Sequence, residues 1–436
     1  MRAKRLLNLF LIVAIATLGT IPQRLVAQTN SPTSETSTIP MLPSTTRQIG
    51  FGHGNQTDPH VVCNGATYVN DNRQGSSSIS YYNFALDTEF TIPGTGKDAW
   101  PDTDGRQIAF TALGPRADNR VLIYDLQNHT TTVVPGTENS RPVIANNVVA
   151  FLHGNAVNAS EIEVFDVATQ TTTQLSSDGL FNREPSISPD GKVIVWEKCE
   201  SNGLGCDIYS ATRSAGSTFT IRRLTAEGED RFADTNGQVF AYLSDKGGEV
   251  DVYVQRLDGT KEVHIAVPGN QRRVRLSGSL VEFESENGLA YDIFLYDLST
   301  SRLYQVTNKA WEERFSDVSA ECDGLHRIVY VVNDVYGDFD TWAQEFELPD
   351  SIPDQLNNVV HLVESFNLHD GMGNSLLSKL QDALTAINNI DSGTACDSLT
   401  AFINASQAQA GKKLTTSQST QLIEAATAIK SNLGCQ

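Results

Sequence analysis

The most informative segment of this chain of 436 residues reads Arg183-Glu-Pro-Ser-Ile-Ser-Pro-Asp-Gly-Lys-Val-Ile-Val-Trp196. A proline precedes a Ser-Pro-Asp-Gly turn, and the turn is followed by an apolar run rich in β-branched residues. Asp-Gly favours a tight turn, and a short β-branched run bounded by such a turn is typical of a strand. The segment therefore predicts a turn that leads into a buried strand.

This arrangement recurs through most of the chain. Four prolines mark it about every 42 residues, and each precedes a turn with Gly or Asn and then an apolar strand: Pro59, Pro101, Pro142 and Pro185. The same phase continues without proline at the turns Asn236-Gly237, Ser277-Gly278 and Asp323-Gly324. Seven units result, which start near residues 58, 98, 139, 182, 230, 271 and 314.

A period of about 40 residues with roughly four strands per unit is typical of β-propeller blades. One blade cannot bury both faces of its sheet, whereas blades packed around an axis cover each other and leave only short edges. We therefore predict an all-β propeller of seven blades over residues 50–348. Six blades are the alternative if the first unit, rich in glycine and serine around residues 75–78, is not a full blade.

Two segments carry a resemblance to a known family. Residues 183–196 resemble the proline, Ser-Pro-Asp-Gly and apolar-strand signature of TolB-type, WD-like propeller repeats. Tyr291-Asp-Ile-Phe-Leu-Tyr-Asp-Leu298, ending at Gln305-Val-Thr307, resembles the second half of the same repeat. The resemblance covers roughly residues 55–348 and implies the propeller. TolB itself has an additional α/β domain before its propeller, to which nothing here corresponds, so a TolB role in the cell envelope is not implied.

From about residue 352 the apolar period changes from two to 3.6, which indicates helices. Four apolar helix faces follow each other, marked by Leu356, Leu380, Phe402 and Leu422. Thr415, Thr416 or Ser417 can cap the last helix. We predict a small all-α domain of four helices over residues 353–436.

This domain also resembles a known module. Ser365-Phe-Asn-Leu-His-Asp-Gly371 and Gly411-Lys-Lys-Leu-Thr415 are similar to the FIMAH-type helical domain found at the ends of secreted bacterial proteins. The resemblance implies no defined chemistry.

The N-terminus is typical of an exported bacterial protein. A basic start and an apolar run from Leu6 to Leu18 predict a signal peptide over residues 1–27, cut after Ala27, with Gly19 as the alternative site. Residues 28–49, rich in Ser, Thr and Pro, predict a flexible leader. No later stretch is long and apolar enough to span a membrane. We expect a secreted or periplasmic protein that is a monomer.

Six cysteines fit an oxidising compartment and allow fifteen full pairings. Position in the predicted fold favours one set: Cys199 with Cys206 across a turn, Cys396 with Cys435 at neighbouring helix ends, and Cys63 with Cys322 in the first and last units. The last bridge would fasten the ring and stabilise it by about 4–5 kcal/mol on a chain-entropy basis. Free thiols or zinc ligands are the alternative.

The balance of charges restricts the partners. The chain has 32 basic and 52 acidic side chains, a formal charge of −20. Binding to phosphate backbones requires a cationic surface, so nucleic acid is excluded as a partner, and anionic lipid is disfavoured. An extracytoplasmic protein, peptide or glycan is the partner that we expect.

Arginine recurs just before the inner strands, and in this phase approaches the mouth of the channel: Arg183, Arg231, Arg272 and Arg314, with Arg141 shifted by one. These side chains are candidates for binding a carboxylate or a peptide terminus. The alternative is that each pairs with a nearby carboxylate such as Glu184, Asp230 or Glu313.

Enzymatic function has little support in the sequence. There is no Gly-x-Ser-x-Gly elbow, and only His60 among the histidines falls at the start of an inner strand. We predict no catalytic residue, metal or cofactor, and a non-enzymatic binding or scaffold protein that acts through its propeller loops. The alternative is an extracellular propeller enzyme, such as a polysaccharide lyase with a metal in the channel.

Overall fold

A computed structural model describes residues 39–51, 54–71, 75–115, 118–154, 159–288, 290–308, 313–333, 338–348, 352–368 and 371–435. The predicted signal peptide lies outside these residues. No helix in the described part of the chain is long and apolar enough to cross a membrane.

A short strand, β1 (Thr45–Gln48), precedes the blades. Blades one to three follow, each with four strands: β2 (Asn55–Val62), β3 (Gly65–Asp71), β4 (Ser77–Asn83) and β5 (Thr88–Thr91); β6 (Asp98–Thr103), β7 (Gln107–Ala112), β8 (Arg120–Asp125) and β9 (Thr130–Val133); β10 (Asn139–Ala145), β11 (Val148–His153), β12 (Glu161–Asp166) and β13 (Thr171–Gln174).

The remaining blades continue the pattern. Blades four to seven contain β14 (Phe181–Ile187), β15 (Val193–Cys199), β16 (Asp207–Ala215) and β17 (Thr218–Arg223); β18 (Arg231–Thr235), β19 (Val239–Ser244), β20 (Asp251–Arg256) and β21 (Glu262–Ile265); β22 (Gln271–Ser277), β23 (Leu280–Asn287), β24 (Ala290–Asp297) and β25 (Arg302–Gln305); β26 (Glu313–Val318), β27 (His326–Asn333) and β28 (Phe339–Phe346).

The prediction of a seven-bladed propeller is confirmed. Seven antiparallel sheets of four strands follow each other, and their inner strands meet in a closed cycle in which β26 returns to β2. The predicted starts of the seven units agree with the observed inner strands to within three residues. The first blade has its full four strands, so the six-bladed alternative is wrong.

The seventh blade takes its outer strand from the beginning of the chain. β1 pairs antiparallel with β28, with Arg47 opposite Ala343. Leu42, only 4% exposed, joins the apolar core of that blade. The prediction of a flexible leader over residues 28–49 is therefore wrong for residues 39–49, because pairing with β28 orders a polar segment that has no hydrophobic period of its own.

Apolar side chains fill the space between neighbouring blades. Val121 and Ile123 of the second blade share one buried cluster with Val149 and Phe151 of the third. Burying a side chain of this size stabilises a fold by about 1.5–3 kcal/mol, and the repeat of such clusters holds the inner strands in place around the channel.

Four helices follow the propeller, as predicted: α1 (Ile352–Ser365), α2 (Met372–Asn388), α3 (Ser392–Ala408) and α4 (Thr416–Asn432). One apolar cluster joins all four, with Leu356, Leu380, Phe402 and Leu422 nearly inaccessible to solvent. Thr415 caps α4 in a capping box with Gln418, which satisfies two N–H groups of the first turn.

The turn between α2 and α3 contacts the propeller. Asp391, the N-cap of α3, forms an ion pair with Lys261, which immediately precedes β21. Ile390 packs against the apolar cluster between the fifth and sixth blades. The Lys261 ammonium and the N–H of Thr394 lower the pKa of Asp391 to about 2, so this contact stays charged at physiological pH.

Candidate functional site

The inner strands enclose a central cavity of about 600 Å³. All seven inner strands are irregular at the same place, where the register with the second strand shifts. Each shift is a β-bulge, which adds a residue to one strand and redirects its side chain. The bulges therefore determine which side chains face the channel.

One residue at each bulge adopts a left-handed backbone conformation, with φ between 47° and 55°. We call these seven residues the bulge ring: Asp58, Trp100, Arg141, Glu184, Phe232, Arg273 and Phe315. In the first four blades the next residue is proline, which has no N–H to give to a ladder and so suits the position where pairing is interrupted. The prolines that set the period of the sequence thus mark the bulges.

The bulge ring combines aromatic side chains with charges of both signs. The Arg141 guanidinium lies 4.7 Å from the ring centroid of Trp100 and donates to Glu184 Oε1 at 2.8 Å. The Arg273 guanidinium lies 4.1 Å from the centroid of Phe315. Two pairs of cation and aromatic ring therefore lie on opposite parts of the ring.

A second set of residues lies two positions further along each inner strand. We call it the inner ring: His60, Asp102, Val143, Ser186, Asp234, Arg275 and Asp317, all of which line the cavity. Its polar contacts cross from blade to blade, with His60 Nδ1 3.4 Å from Asp102 Oδ1 and Arg275 Nε 3.7 Å from Asp317 Oδ1.

Three aspartates of the inner ring also accept from the backbone of the following blade. Asp102 accepts from Ile144 N at 2.6 Å, and Asp234 accepts from Leu276 N at 2.7 Å. Ser186 donates to Asp234 as well. Because a buried hydrogen-bonding group is costly when unpaired, these contacts stabilise the ring of blades while they shape the cavity.

The inner ring contains groups with strongly shifted pKa values. Burial raises the pKa of Asp102 to about 8 and that of Asp317 to about 7, although backbone N–H groups and Arg275 oppose the shift. Burial lowers the pKa of His60 to about 3, assisted by Arg275 and Arg273. His60 is therefore neutral at physiological pH.

A buried polar side chain precedes each bulge by two residues, and the sequence analysis did not identify this set. Gln56 accepts from Thr341 N at 2.8 Å, and Gln271 accepts from Val252 N at 2.8 Å. Asn182 accepts from Trp196 Nε1 at 2.9 Å. The recurrence of an amide or carboxyl group two residues before the bulge was the signal in the sequence.

The four arginines proposed as a ligand site lie one residue before the bulge ring. The structure does not place them among the residues that line the cavity: Arg183, Arg231, Arg272 and Arg314. Three form ion pairs, with Glu197 at 3.1 Å, Glu229 at 3.0 Å and Glu284 at 2.7 Å respectively. The guanidinium of the fourth lies 4.1 Å from the ring of Phe339.

These arginines therefore lie one position before the residues of the bulge ring. The bulge adds a residue, and the residues that follow Arg183, Arg231 and Arg272 line the cavity, namely Glu184, Phe232 and Arg273. The ion pairs of Arg183, Arg231 and Arg272 agree with the alternative that these arginines pair with nearby carboxylates, here Glu197, Glu229 and Glu284. Arg141, which the period set apart by one residue, belongs to the bulge ring.

His60 lies in the cavity, as its position in the repeat predicted. Within the described ranges, no group of three or more His, Cys, Asp or Glu side chains is arranged to hold a metal ion.

The structure pairs the cysteines in the set that their positions favoured: Cys63 with Cys322, Cys199 with Cys206, and Cys396 with Cys435. The bridge between Cys63 and Cys322 links the first and last blades, and Cys63 lines the cavity.

Comparison with known proteins shows the fold. The acylaminoacyl peptidase of Pyrococcus horikoshii matches 69% of this chain at 12% identity and a TM-score of 0.52, over 53% of its own length. The propeller domain of the trilobed protease of Pyrococcus furiosus matches 69% of this chain and 96% of its own at 13% identity, also with a TM-score of 0.52.

TolB from Acinetobacter baumannii is also matched, at 17% identity over 66% of this chain and 78% of its own, with a TM-score of 0.39. The likeness of fold therefore rests on the two peptidase propellers. This chain spans about half of the length of the acylaminoacyl peptidase. No family model matches the chain, and no curated protein matches it.

Proposed function

We propose that this protein is a non-enzymatic, extracytoplasmic binding protein that holds a segment of a polypeptide at the bulge ring. The observation that supports this proposal most directly is the composition of the ring, which combines three aromatic side chains with two acidic and two basic ones. All of them except Phe315 line the cavity. A peptide presents apolar side chains, N–H donors and carbonyl acceptors together, and this mixture matches such a ring.

The dimensions of the cavity agree with this class of ligand. A volume of about 600 Å³ lies within the range of sites that enclose small ligands, which corresponds to a segment of a few residues. The rigid blades hold the ring side chains in place, so little ordering is required when a ligand binds.

Three disulfides support a location outside the cytoplasm, because such bridges persist in oxidising compartments. The signal peptide predicted over residues 1–27 agrees with this location.

The proposal is tested with the immobilised protein and a pool of random tripeptides, whose retention is measured by mass spectrometry. We expect the wild type to retain peptides and Trp100→Ala to retain far fewer, because the Trp100 ring is part of the bulge ring. Phe90→Ala, which removes an exposed aromatic ring from β5 on the outer edge of the first blade, is the matched control. Equal retention by the wild type and Trp100→Ala would refute peptide binding at the ring.

A further inference from the structure

The geometry of the bulge ring points to its ligand: we propose that the ring binds the carboxyl-terminal end of a polypeptide, with Arg273 as the receptor for the terminal carboxylate. This inference rests on the proposed function and specifies which part of the peptide is bound.

Arg273 is the cation of the cavity whose hydrogen-bond donors are available. Its guanidinium is half-buried and stacks on Phe315 at 4.1 Å, and it forms no hydrogen bond or ion pair with any other residue that the structure describes. The other two guanidinium groups of the cavity lining have partners, since Arg141 donates to Glu184 and Arg275 lies beside Asp317. An anion that reaches the cavity therefore finds its donors at Arg273.

Burial makes this position suitable for an anion. It lowers the pKa of Arg273, even though Glu284, Asp58 and Glu184 favour the charged form. A half-buried cation with incomplete compensation gains stability when a carboxylate binds. The planar fork of a guanidinium fits a carboxylate in a bidentate manner, and Phe315 restricts the orientation of the fork.

Asp58 supplies a matching acceptor in the same ring. Among the described residues it receives no hydrogen bond from any side chain or backbone group, and burial raises its pKa while Arg273 is the largest opposing influence. The last residue of a peptide has a carboxylate and, two bonds away from it, a backbone N–H. Arg273 and Asp58 can therefore take the two polar groups of a carboxyl terminus together.

Other ligands match the ring less well. An internal peptide segment has no anion for Arg273, and a free amino terminus would bring a second cation to it. An anionic polysaccharide contains many negative charges and is repelled by a chain with a formal charge of −20. A single terminal carboxylate on an otherwise neutral chain avoids this repulsion.

The test uses the full-length protein and two pools of random tripeptides, both N-acetylated, one with a free carboxyl group and one amidated. We expect the immobilised wild type to retain the free-carboxyl pool at least about tenfold better than the amidated pool. Arg273→Gln should reduce retention of the free-carboxyl pool to that of the amidated pool. Arg273→Lys, which keeps the charge but not the fork, should give an intermediate value.

The matched control is Arg106→Gln, which removes an arginine whose side chain is 58% exposed. It should leave the difference between the pools unchanged. Near-ultraviolet circular dichroism shows whether each variant keeps the packing of the wild type.

The outcomes separate this inference from the proposed function. Equal retention of both pools, still lost in Trp100→Ala, would overturn the role of the terminus and leave peptide binding intact. If neither pool is retained, both the inference and the proposed function are overturned. Displacement of the peptides by an oligouronate at equal concentration would overturn the inference in favour of an acidic glycan.

Discussion

Asp317 of the seventh blade accepts a hydrogen bond from the backbone N–H of Val61 in the first blade at 2.8 Å, across a separation of 256 residues. The same relation joins Asp102 to Ile144 and Asp234 to Leu276 in the blades that follow them. Acidic side chains of the cavity thus act as links between blades, so the groups that give the channel its chemistry also stabilise the ring.

Removing the link at Asp317 should destabilise the closed ring. Asp317→Ala leaves Val61 N–H and the Arg275 guanidinium without this partner, and we expect a loss of about 3 kcal/mol in the free energy of unfolding. Asp317→Asn keeps an acceptor and should lose less than half as much. Unfolding by guanidinium chloride at pH 6 measures the free energy of unfolding of both variants. Asp382→Ala, on the exposed face of α2, is the control. Equal losses in the Ala and Asn variants would show that the hydrogen bond to Val61 contributes nothing.

The disulfides should contribute in proportion to the loops that they close. The bridge between Cys63 and Cys322 spans 259 residues, and the one between Cys199 and Cys206 spans 7. Replacing both cysteines by serine should cost about 4–5 kcal/mol in the first case and about 2 kcal/mol in the second. The melting temperatures of the two double variants show which bridge contributes more to stability. A larger loss for the short loop would contradict a role for Cys63–Cys322 in closing the ring.

The strand β1 should be required for a stable seventh blade. A chain that begins at residue 39 keeps β1 and the buried side chain of Leu42, and it should melt close to the full-length protein. A chain that begins at residue 50 loses both and leaves β28 as an open edge, which favours aggregation. We expect a clearly lower melting temperature and concentration-dependent light scattering. Equal melting temperatures for the two truncated chains would contradict this prediction.

The sequence was sufficient to predict the number of blades and the positions of the inner strands because each blade repeats the same turn. It was not sufficient for β1, whose four residues have no apolar period and become a strand only through pairing with β28. The helices were predictable for the opposite reason, since Leu380 and Phe402 repeat an apolar face within the helices themselves.

The arginines that the sequence pattern singles out lie one residue before the bulge ring. A regular strand alternates its side chains, so an arginine such as Arg272 at the start of an inner strand appears to face the channel. The bulge reverses this alternation and brings Arg273 to the cavity instead. The left-handed conformation at Arg273 is imposed by the ring of blades, and a charged residue has no local preference for it that a sequence pattern could reveal.

Titration of Asp102 should make the stability of the protein depend on pH. Its pKa is raised from an ordinary 3.8 to about 8, so the folded state holds more protons than the unfolded state between these values and stability falls as pH rises through that window. His60, with its pKa lowered, has the opposite effect, which is confined below about pH 6.5.

The test compares pH 6.5 with pH 9 in the wild type and Asp102→Asn. The asparagine keeps an acceptor for Ile144 N and cannot ionise, so the variant should avoid a loss of about 2 kcal/mol that the wild type suffers over this interval. Asp317, whose pKa is about 7, and Arg275 face the same part of the cavity and remain in both proteins. Asp382→Asn should behave as the wild type. If Asp102→Asn shows the same pH dependence as the wild type, the pH dependence does not arise from Asp102.

Glu184 should restrict the number of anions that the bulge ring accepts. It engages Arg141 at 2.8 Å, which leaves Arg273 as the available guanidinium. Glu184→Gln removes this charge and frees Arg141, so the affinity for acetylated tripeptides with a free carboxyl group should rise several-fold and depend more strongly on salt. Isothermal titration calorimetry with the best-retained peptide measures the change.

The control for this experiment is Glu229→Gln, which removes the partner of Arg231 outside the cavity lining. It should leave the affinity unchanged, because the freed guanidinium does not reach the ligand. A rise in both variants would indicate a general effect of net charge rather than a site. A fall in Glu184→Gln would mean that Glu184 positions Arg141 and Trp100 for binding, since the guanidinium that Glu184 holds also stacks on the Trp100 ring.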